Sequence, residues 1–539
     1  MGQRELVAAV PAALAGALAA GAALAAGELV GAAMGRRPSL VTAVGDQFID
    51  RFAASLKDLA IRLFGTNDKI ALIVGIVLLS LALGAVFGLV ARRRFWVAVA
   101  GLVFFGGVGL WSGLQDPLGD TATAWTSVVV AVAVGIATLW LLLRIAPRTT
   151  VSAGTPGIDA GHLDDDNTDR ISVEDPRRPH VARRAFLGWS GAVGTWAALA
   201  AAGAHGLRTR STVEGERVTL DLPQPVRSTP VPRTQPAAIE ELVASGLSPY
   251  TVPNDNFYRI DTALIVPQVE VESWRLRVDG MVDRPYELTH DELLDMDLVE
   301  VPVTLACVSN EVGGDLIGNA TWLGAPLQEL LERAGVQPGA TQIVGESVDG
   351  FTAGFPTELA LDGRTALVAV GMNGEPLPTR HGYPARLVVS GLYGYVSATK
   401  WLNRIRLTTW DDFDGYWIPR GWAKEAPIKI SSRIDVPARQ RIPAGRTPVA
   451  GVAWSPSIGI ASVEVRVDGG AWDSARLGET ANEDTWVQWV YEWEAAPGSH
   501  ELQVRATDTT GLTQTGERQA PAPDGATGWH TRTIDVEDA

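Results

Sequence analysis

A single cysteine among 539 residues, Cys307, excludes an internal disulfide framework and any cysteine-rich zinc or iron–sulfur site. Histidine is scarce, with seven in all, and no Cys-x-x-Cys-His string occurs, so the chain is expected to carry no haem of its own. No Walker or Rossmann glycine pattern appears, which turns the reading away from nucleotides. Positive charge is also in deficit, with 45 Lys and Arg against 61 Asp and Glu. That deficit is uneven: residues 1–206 carry 17 basic and 15 acidic side chains, the remainder 28 and 46. The second part therefore reads as an acidic, soluble body with no affinity for nucleic acid. Apolar residues make up 46% of the chain, which rules out wholesale disorder.

What is present first is a set of uncharged apolar stretches at 6–27, 70–91, 95–111, 121–143 and 185–204. Each has about the length needed to cross a ~30 Å hydrocarbon core as a helix. The alternative, buried helices of a soluble protein, sits badly with five such stretches free of charge. The Ala/Gly-rich first stretch also suits a signal peptide. Arg92, Arg93 and Arg94 between the second and third segments, and Arg144 and Arg148 after the fourth, place those loops in the cytoplasm by the positive-inside rule. Counting five crossings puts the N-terminus inside and everything after His205 outside, although Arg36 and Arg37 in the first external loop run against the rule. The expected location is the plasma membrane, multi-pass, with the acidic half extracytoplasmic.

Residues 147–184 read as a polar cytoplasmic linker, with an acidic run at Asp164, Asp165 and Asp166. The linker ends in Arg183 and Arg184, followed by Ala185, Phe186, Leu187 and Gly188, which resembles a twin-arginine export signal placed before the fifth crossing. Ordinary positive-inside anchoring is the alternative. The twin-arginine reading makes that export machinery a partner and implies export of a domain already folded around its cofactor.

Domain boundaries follow from composition: 1–146 a four-helix membrane domain, 147–184 the linker, 185–206 the fifth crossing, 207–238 an extended extracytoplasmic tether, 239–426 a mixed α+β catalytic domain and 427–539 a β-sandwich. Within them, Trp274 to Val278 alternates like a strand, Thr289 can cap a helix from His290, and Pro326 to Ala334 is a short amphipathic helix. Beyond Pro427, Val463 to Val467, a turn at Asp468, Gly469 and Gly470, and the stretches Trp486 to Trp493 and Glu501 to Ala506 alternate as strands. Trp486, Trp489 and Trp493 read as sandwich core and rim.

Two constellations can hold chemistry. Cys307 ends the apolar run Val301 to Leu305 within the string Thr304 to Asn310; a lone cysteine is usually a small buried hydrophobe, yet an exported thiol is a liability unless it is shielded or metal-bound. The second runs from Asn373 to Trp401 and sets His381, Arg386, Ser397, Thr399 and Lys400 in glycine-punctuated loops around the strand-like Leu387 to Val389. Such donors can bind a phosphate. Scattered loop charges are the alternative.

On Thr304 to Asn310, Gly318 to Leu327 and Asn373 to Trp401, the region from about Ser248 to Gln514 resembles the sulfite oxidase family of molybdenum enzymes, which includes bacterial periplasmic methionine-sulfoxide reductase catalytic subunits. The resemblance implies an N-terminal set of transmembrane helices, an α+β molybdopterin domain and a C-terminal immunoglobulin-like sandwich of the family's dimerisation type, leaving monomer and homodimer both open. It implies that Cys307 is the thiolate ligand of molybdenum, that one molybdopterin is the cofactor, and that His381, Arg386, Ser397, Thr399, Lys400 and Ser347 hold the pterin. One residue more than the family has between Arg386 and Lys400 leaves the choice among Ser397, Ala398 and Thr399 open. Asn254, Tyr258 and Arg259, in the segment Pro253 to Arg259, would line the metal and pterin.

The departures bear on substrate. Sulfite-oxidising members carry Arg-Asn-His after the Phe-Tyr pair and a second arginine five positions after the cysteine; here Arg259 is followed by Ile260, Asp261 and Thr262, and Val312 beside Glu311 holds the second place. The expected activity is oxygen-atom transfer on a small neutral S-oxide or N-oxide, with electrons from a separate carrier or quinone-linked partner. A sulfite dehydrogenase is the alternative enzyme, and a non-catalytic membrane-tethered binding protein the alternative of another class.

Overall fold

The computed structural model describes residues 3–35, 39–49, 51, 68–146, 178–210, 212–232 and 241–538, which form two compact units, 1–212 and 213–539. The loop arginines Arg36 and Arg37, the C-terminal part of the tether and nearly all of the linker, with its acidic run, lie outside the described residues.

Among the described residues, the first unit contains five helices long and apolar enough to cross a membrane: α1 Gln3–Ala33, α2 Asp68–Ala91, α3 Phe95–Gln115, α4 Thr121–Ile145 and α5 Arg178–Arg210. Helix α1 touches α2, α4 and α5. Its many alanines and glycines explain how, because small residues let backbones approach closely. A Cβ on Gly16 would lie 2.6 Å from Gly88 N, and one on Gly84 would lie 2.6 Å from Gly16 O. Near its other end α1 is tied to α5 by the Glu28–Arg208 ion pair at 2.7 Å. Arg183 and Arg184 are exposed on α5.

Among the described residues, the second unit is built on four sheets. One runs in the order Arg227–Ser228, Val299–Ala306, Ile317–Pro326, Ala366–Met372, Arg386–Val389, with Glu375–Pro376 at the side. The next runs Tyr286–Thr289, Arg275–Gly280, Leu402–Thr408, Gln342–Ser347, Thr352–Pro356. Val299–Ala306 is buried along almost its whole length, as an apolar run in a covered sheet must be. Thr289 caps His290–Leu294 in a full capping box with Glu292, and Leu327–Ala334 turns Leu327, Leu330, Leu331 and Ala334 inward.

The remaining two sheets, between Ser431 and Glu537, share a core that joins Val449 and Trp489 of one to Val465, Val504 and Ile534 of the other. The hairpin at Asp468–Gly470 has positive φ at both Asp468 and Gly469, the geometry that matches strand twist in a tight turn. Trp489 and Trp493 lie in this core, whereas Trp486 packs into the core of the first two sheets and donates its indole N–H to Tyr250 O at 2.9 Å.

One expectation is corrected. Residues 213–228 are not an extended tether: Glu214–Thr219 is helical, and Arg227–Ser228 pairs in parallel with Val299–Ala306. Arg217 is buried, bonded to Glu214 at 2.6 Å and to Pro376 O at 2.9 Å, and Glu216 accepts from Val271 N and Tyr383 Oη. Composition cannot reveal that these charges have buried partners on another segment.

Candidate functional site

Cys307 is the first residue beyond Val299–Ala306, where the sheet stops and the chain turns. Its N–H donates to Leu316 O at 2.9 Å, and its carbonyl accepts from Asn310 N at 3.0 Å. The Asn310 side chain accepts from Leu316 N, so the turn is braced at both ends. On the preceding strand the Thr304 hydroxyl donates to Asn319 Oδ1 and accepts from Trp486 N. The thiol is thus delivered by a rigid element, as a ligand or nucleophile requires.

Tyr258, from another segment, lies within electrostatic reach of Cys307, and Arg386 lies within reach of Tyr258. Burial and the Cys307 charge push the Tyr258 phenol well above its ordinary value, and Arg386 opposes them. Arg386 is buried over the Trp322 ring at 4.9 Å, and its guanidinium donates to His381 O at 3.1 Å and Ala398 O at 3.5 Å. No carboxylate among the described residues pairs with it, and burial alone draws it down to about 10. A buried guanidinium without a counter-ion is costly unless an anion arrives.

His381 is buried edge-on to Phe257 at 5.6 Å, with Nε2 3.0 Å from Asn254 O. Burial first and Arg386 second hold its pKa down to about 3, so the ring is neutral and Nε2 donates. The Asn254 side chain itself turns away, bonding Met372 O, Glu375 and Asn373. Gly382, at φ +115, lets the chain pass so closely that a Cβ would sit 3.1 Å from Arg386 Cβ and Lys400 Cα. Lys400 is drawn down to about 8 by burial, and its ammonium donates to Ile260 O at 3.1 Å and Asp261 at 3.0 Å. Asp261 also holds Arg259 Nε at 3.0 Å.

Ser347, Ser397 and Thr399 are all buried. Ser397 donates to Tyr393 O and Leu392 O, Thr399 to Gly345 O, and Ser347 Oγ accepts from Asp349 N at 3.4 Å. Phe257 packs against Tyr258, Trp322 and His381, Arg386 lies over Trp322, and Gly382 brings Arg386 and Lys400 together, so Arg386, His381, Tyr258 and Lys400 converge near Cys307. Sequence reasoning missed three participants: Asp261 as the shared partner of two cations, the burial-raised Asp349 beside Lys400, and Tyr393, whose phenol feels the Cys307 charge. The acidity at 261 is visible in the sequence; its two partners are not.

These donors fit a flat anionic cofactor. The unbalanced Arg386 guanidinium and the tight Gly382 passage offer charge and backbone approach, and Cys307 offers a soft donor. Among the described residues no three His, Cys, Asp or Glu gather as a metal nest, so this chain's contribution to a metal would be the thiolate.

Residues 263–417 match the model of the oxidoreductase molybdopterin binding domain, a span holding Ser347, Cys307 and the whole Asn373 to Trp401 run. That gives this part of the chain a molybdopterin-binding domain of the oxidoreductase type. Among proteins with such a domain it is similar to the sulfite oxidases: it is 29% identical to the human mitochondrial sulfite oxidase over 303 residues, 47% of this chain and 55% of the relative. It is also 29% identical to the spinach NADH nitrate reductase over 315 residues, 46% of this chain and 34% of the relative. The sulfane dehydrogenase SoxCD of Paracoccus pantotrophus is similar at 25% identity over 57% of this chain and 94% of that one, with a TM-score of 0.47. The chain thus spans about a third of the nitrate reductase and about half of the sulfite oxidase.

Proposed function

We propose that this protein is a membrane-anchored, outward-facing molybdenum oxidoreductase that reduces a small neutral S-oxide or N-oxide. Five long apolar helices and the basic loops at Arg92 to Arg94 and Arg144 support the anchoring and its sidedness. The twin-arginine pair supports export of the catalytic domain after folding, the 427–539 region is read as an immunoglobulin-like sandwich, and electrons come from a separate carrier.

The observation that carries the substrate reading is the sharing of Asp261 by Arg259 and Lys400. Two cations that could meet an oxyanion are both engaged by one carboxylate, which offsets one of their two charges, and Glu311 adds a further negative charge in the loop after Cys307. A doubly charged anion gains little there, whereas a neutral oxide loses nothing. When bound, molybdenum would exchange two electrons and an oxygen atom with the substrate. Overall, an S-oxide takes up two electrons and two protons and leaves as sulfide and water.

Cys307 would hold the metal, and Arg386, His381 and Lys400, with Ser347, Ser397 or Thr399, would hold the pterin. His381, neutral at working pH, orients the Asn254 to Tyr258 segment by its bond to Asn254 O. The test is a panel of sulfoxides, N-oxides and sulfite with a viologen dye, reduced for the oxides and oxidised for sulfite. Turnover of a neutral oxide with none of sulfite supports the reading, and the reverse overturns it.

A further inference from the structure

We propose that Tyr393 is a positioning residue of the Cys307 site and that the C-terminal two-sheet region holds it there through the turn at Pro521 to Gly525. The inference rests on Cys307 being the reactive centre.

Tyr393 is buried and immediately precedes the short helix Gly394–Ser397. That helix lies against the end of the strand bearing the thiol. A Cβ on Gly394 would be 3.8 Å from Ala306 O and 4.0 Å from Tyr258 Oη, so whatever sets Tyr393 also sets the chain beside both the end of the Cys307 strand and the Tyr258 hydroxyl. The far side of the ring is covered by a segment much further along the chain. Gly525, at φ +101, packs so tightly on the phenol that a Cβ would lie 2.8 Å from Cζ and 2.9 Å from Cε2. Packing this close leaves the ring no room to move without moving the turn.

The turn is itself anchored. Gly525 N donates to Pro521 O at 2.6 Å, and Lys429 Nζ reaches both Gly525 O and Asp524 at 2.9 Å. The N–H of the same Lys429 donates to the Tyr393 hydroxyl at 3.4 Å. Tyr393 N donates to Ala426 O, and Ala423 N to Pro523 O, so the segment 423–429 is laced to both. The C-terminal region thereby reaches the site as one continuous packed contact, a physical route for coupling rather than mere proximity.

Because Cys307 is the only thiol, maleimide alkylation of the full chain, purified in detergent from cells unable to make the cofactor, reads this position alone. Gly525→Ala and Tyr393→Ala should each accelerate alkylation by about tenfold or more, since thiol reactivity follows access. The double variant should react no faster than the faster single one, because both remove the same restraint. Tyr393→Phe, which keeps the ring, should stay within about twofold of the parent.

In the loaded enzyme, Gly525→Ala and Tyr393→Ala should alter the visible spectrum and lower kcat with KM unchanged, and Tyr393→Phe should restore both. A folded Gly525→Ala that alkylates at the parental rate, or additive effects in the double variant, overturns the proposal. Should Gly525→Ala fail to fold, hydrogen exchange at 521–525 in Tyr393→Ala decides: faster exchange supports the coupling and unchanged exchange overturns it. The alkylation needs no molybdenum, so its failure is separable from failure of the cofactor reading.

Discussion

The Lys400 ammonium lies 3.0 Å from the Asp261 carboxylate, and only 4% of that carboxylate side chain meets solvent. A buried pair of this kind is costly to break from one side, because the remaining charge is left without its partner. Asp261→Asn keeps the shape and removes the charge. It should lower stability by about 2–4 kcal/mol in chemical denaturation. It should also tighten inhibition by sulfite or sulfate by about tenfold, with the KM for a neutral oxide little changed. Equal inhibition of parent and variant would remove Asp261 from the account of selectivity.

Acid should weaken the protein through His381. Folding depresses its pKa from 6.5 to about 3, so the unfolded chain takes up the proton first as pH falls. Stability is then full above about 6.5 and is lost progressively down to about 3, by about 5 kcal/mol for this one group. His530, drawn down to about 4, and His290 act in the same direction. His381→Gln should flatten the curve without abolishing it, as measured by melting temperature between pH 7 and pH 4.

How much of the fold and site is legible in the sequence depends on separation along the chain. The Cys307 strand end, the Thr289 capping box and the Asp468–Gly470 turn are written in neighbouring residues, and local chemistry suffices to read them. The pairing of Asp261 with Lys400 spans 139 positions, and Arg217 finds Glu375 across 158. Nothing in either segment's composition announces the other. Trp486 shows the same limit from the apolar side: its alternation with Trp489 and Trp493 marks a strand, but not the core that it fills.

Helix packing in the first unit gives an independent test. Gly88 sits where a Cβ would lie 2.9 Å from Gly16 Cα, while Gly75 on the same helix has nothing within 4 Å. Gly88→Leu should destabilise the unit by about 1–3 kcal/mol or more, because backbone cannot yield as a side chain can. Gly75→Leu is the control and should behave as the parent in thermal aggregation in detergent.

Export should depend on the identity of the arginine pair rather than on its charge. Replacing Arg183 and Arg184 by Lys keeps the positive-inside bias, so a purely topological role would leave the acidic unit outside. A signal read by folded-cargo machinery would fail. Protease accessibility in spheroplasts distinguishes the two, and unchanged accessibility would set the twin-arginine reading aside.

The most direct test of the central claim is Cys307→Ser, with molybdenum content, pterin content, visible spectrum and dye-linked turnover measured on one preparation. Serine replaces a soft thiolate by a hard, usually protonated oxygen, while the packing cost stays at about 1–2 kcal/mol. The account predicts a folded protein that retains pterin through Arg386, His381 and Lys400 but loses the thiolate absorption and essentially all turnover. An active Ser variant with an unchanged spectrum would contradict it.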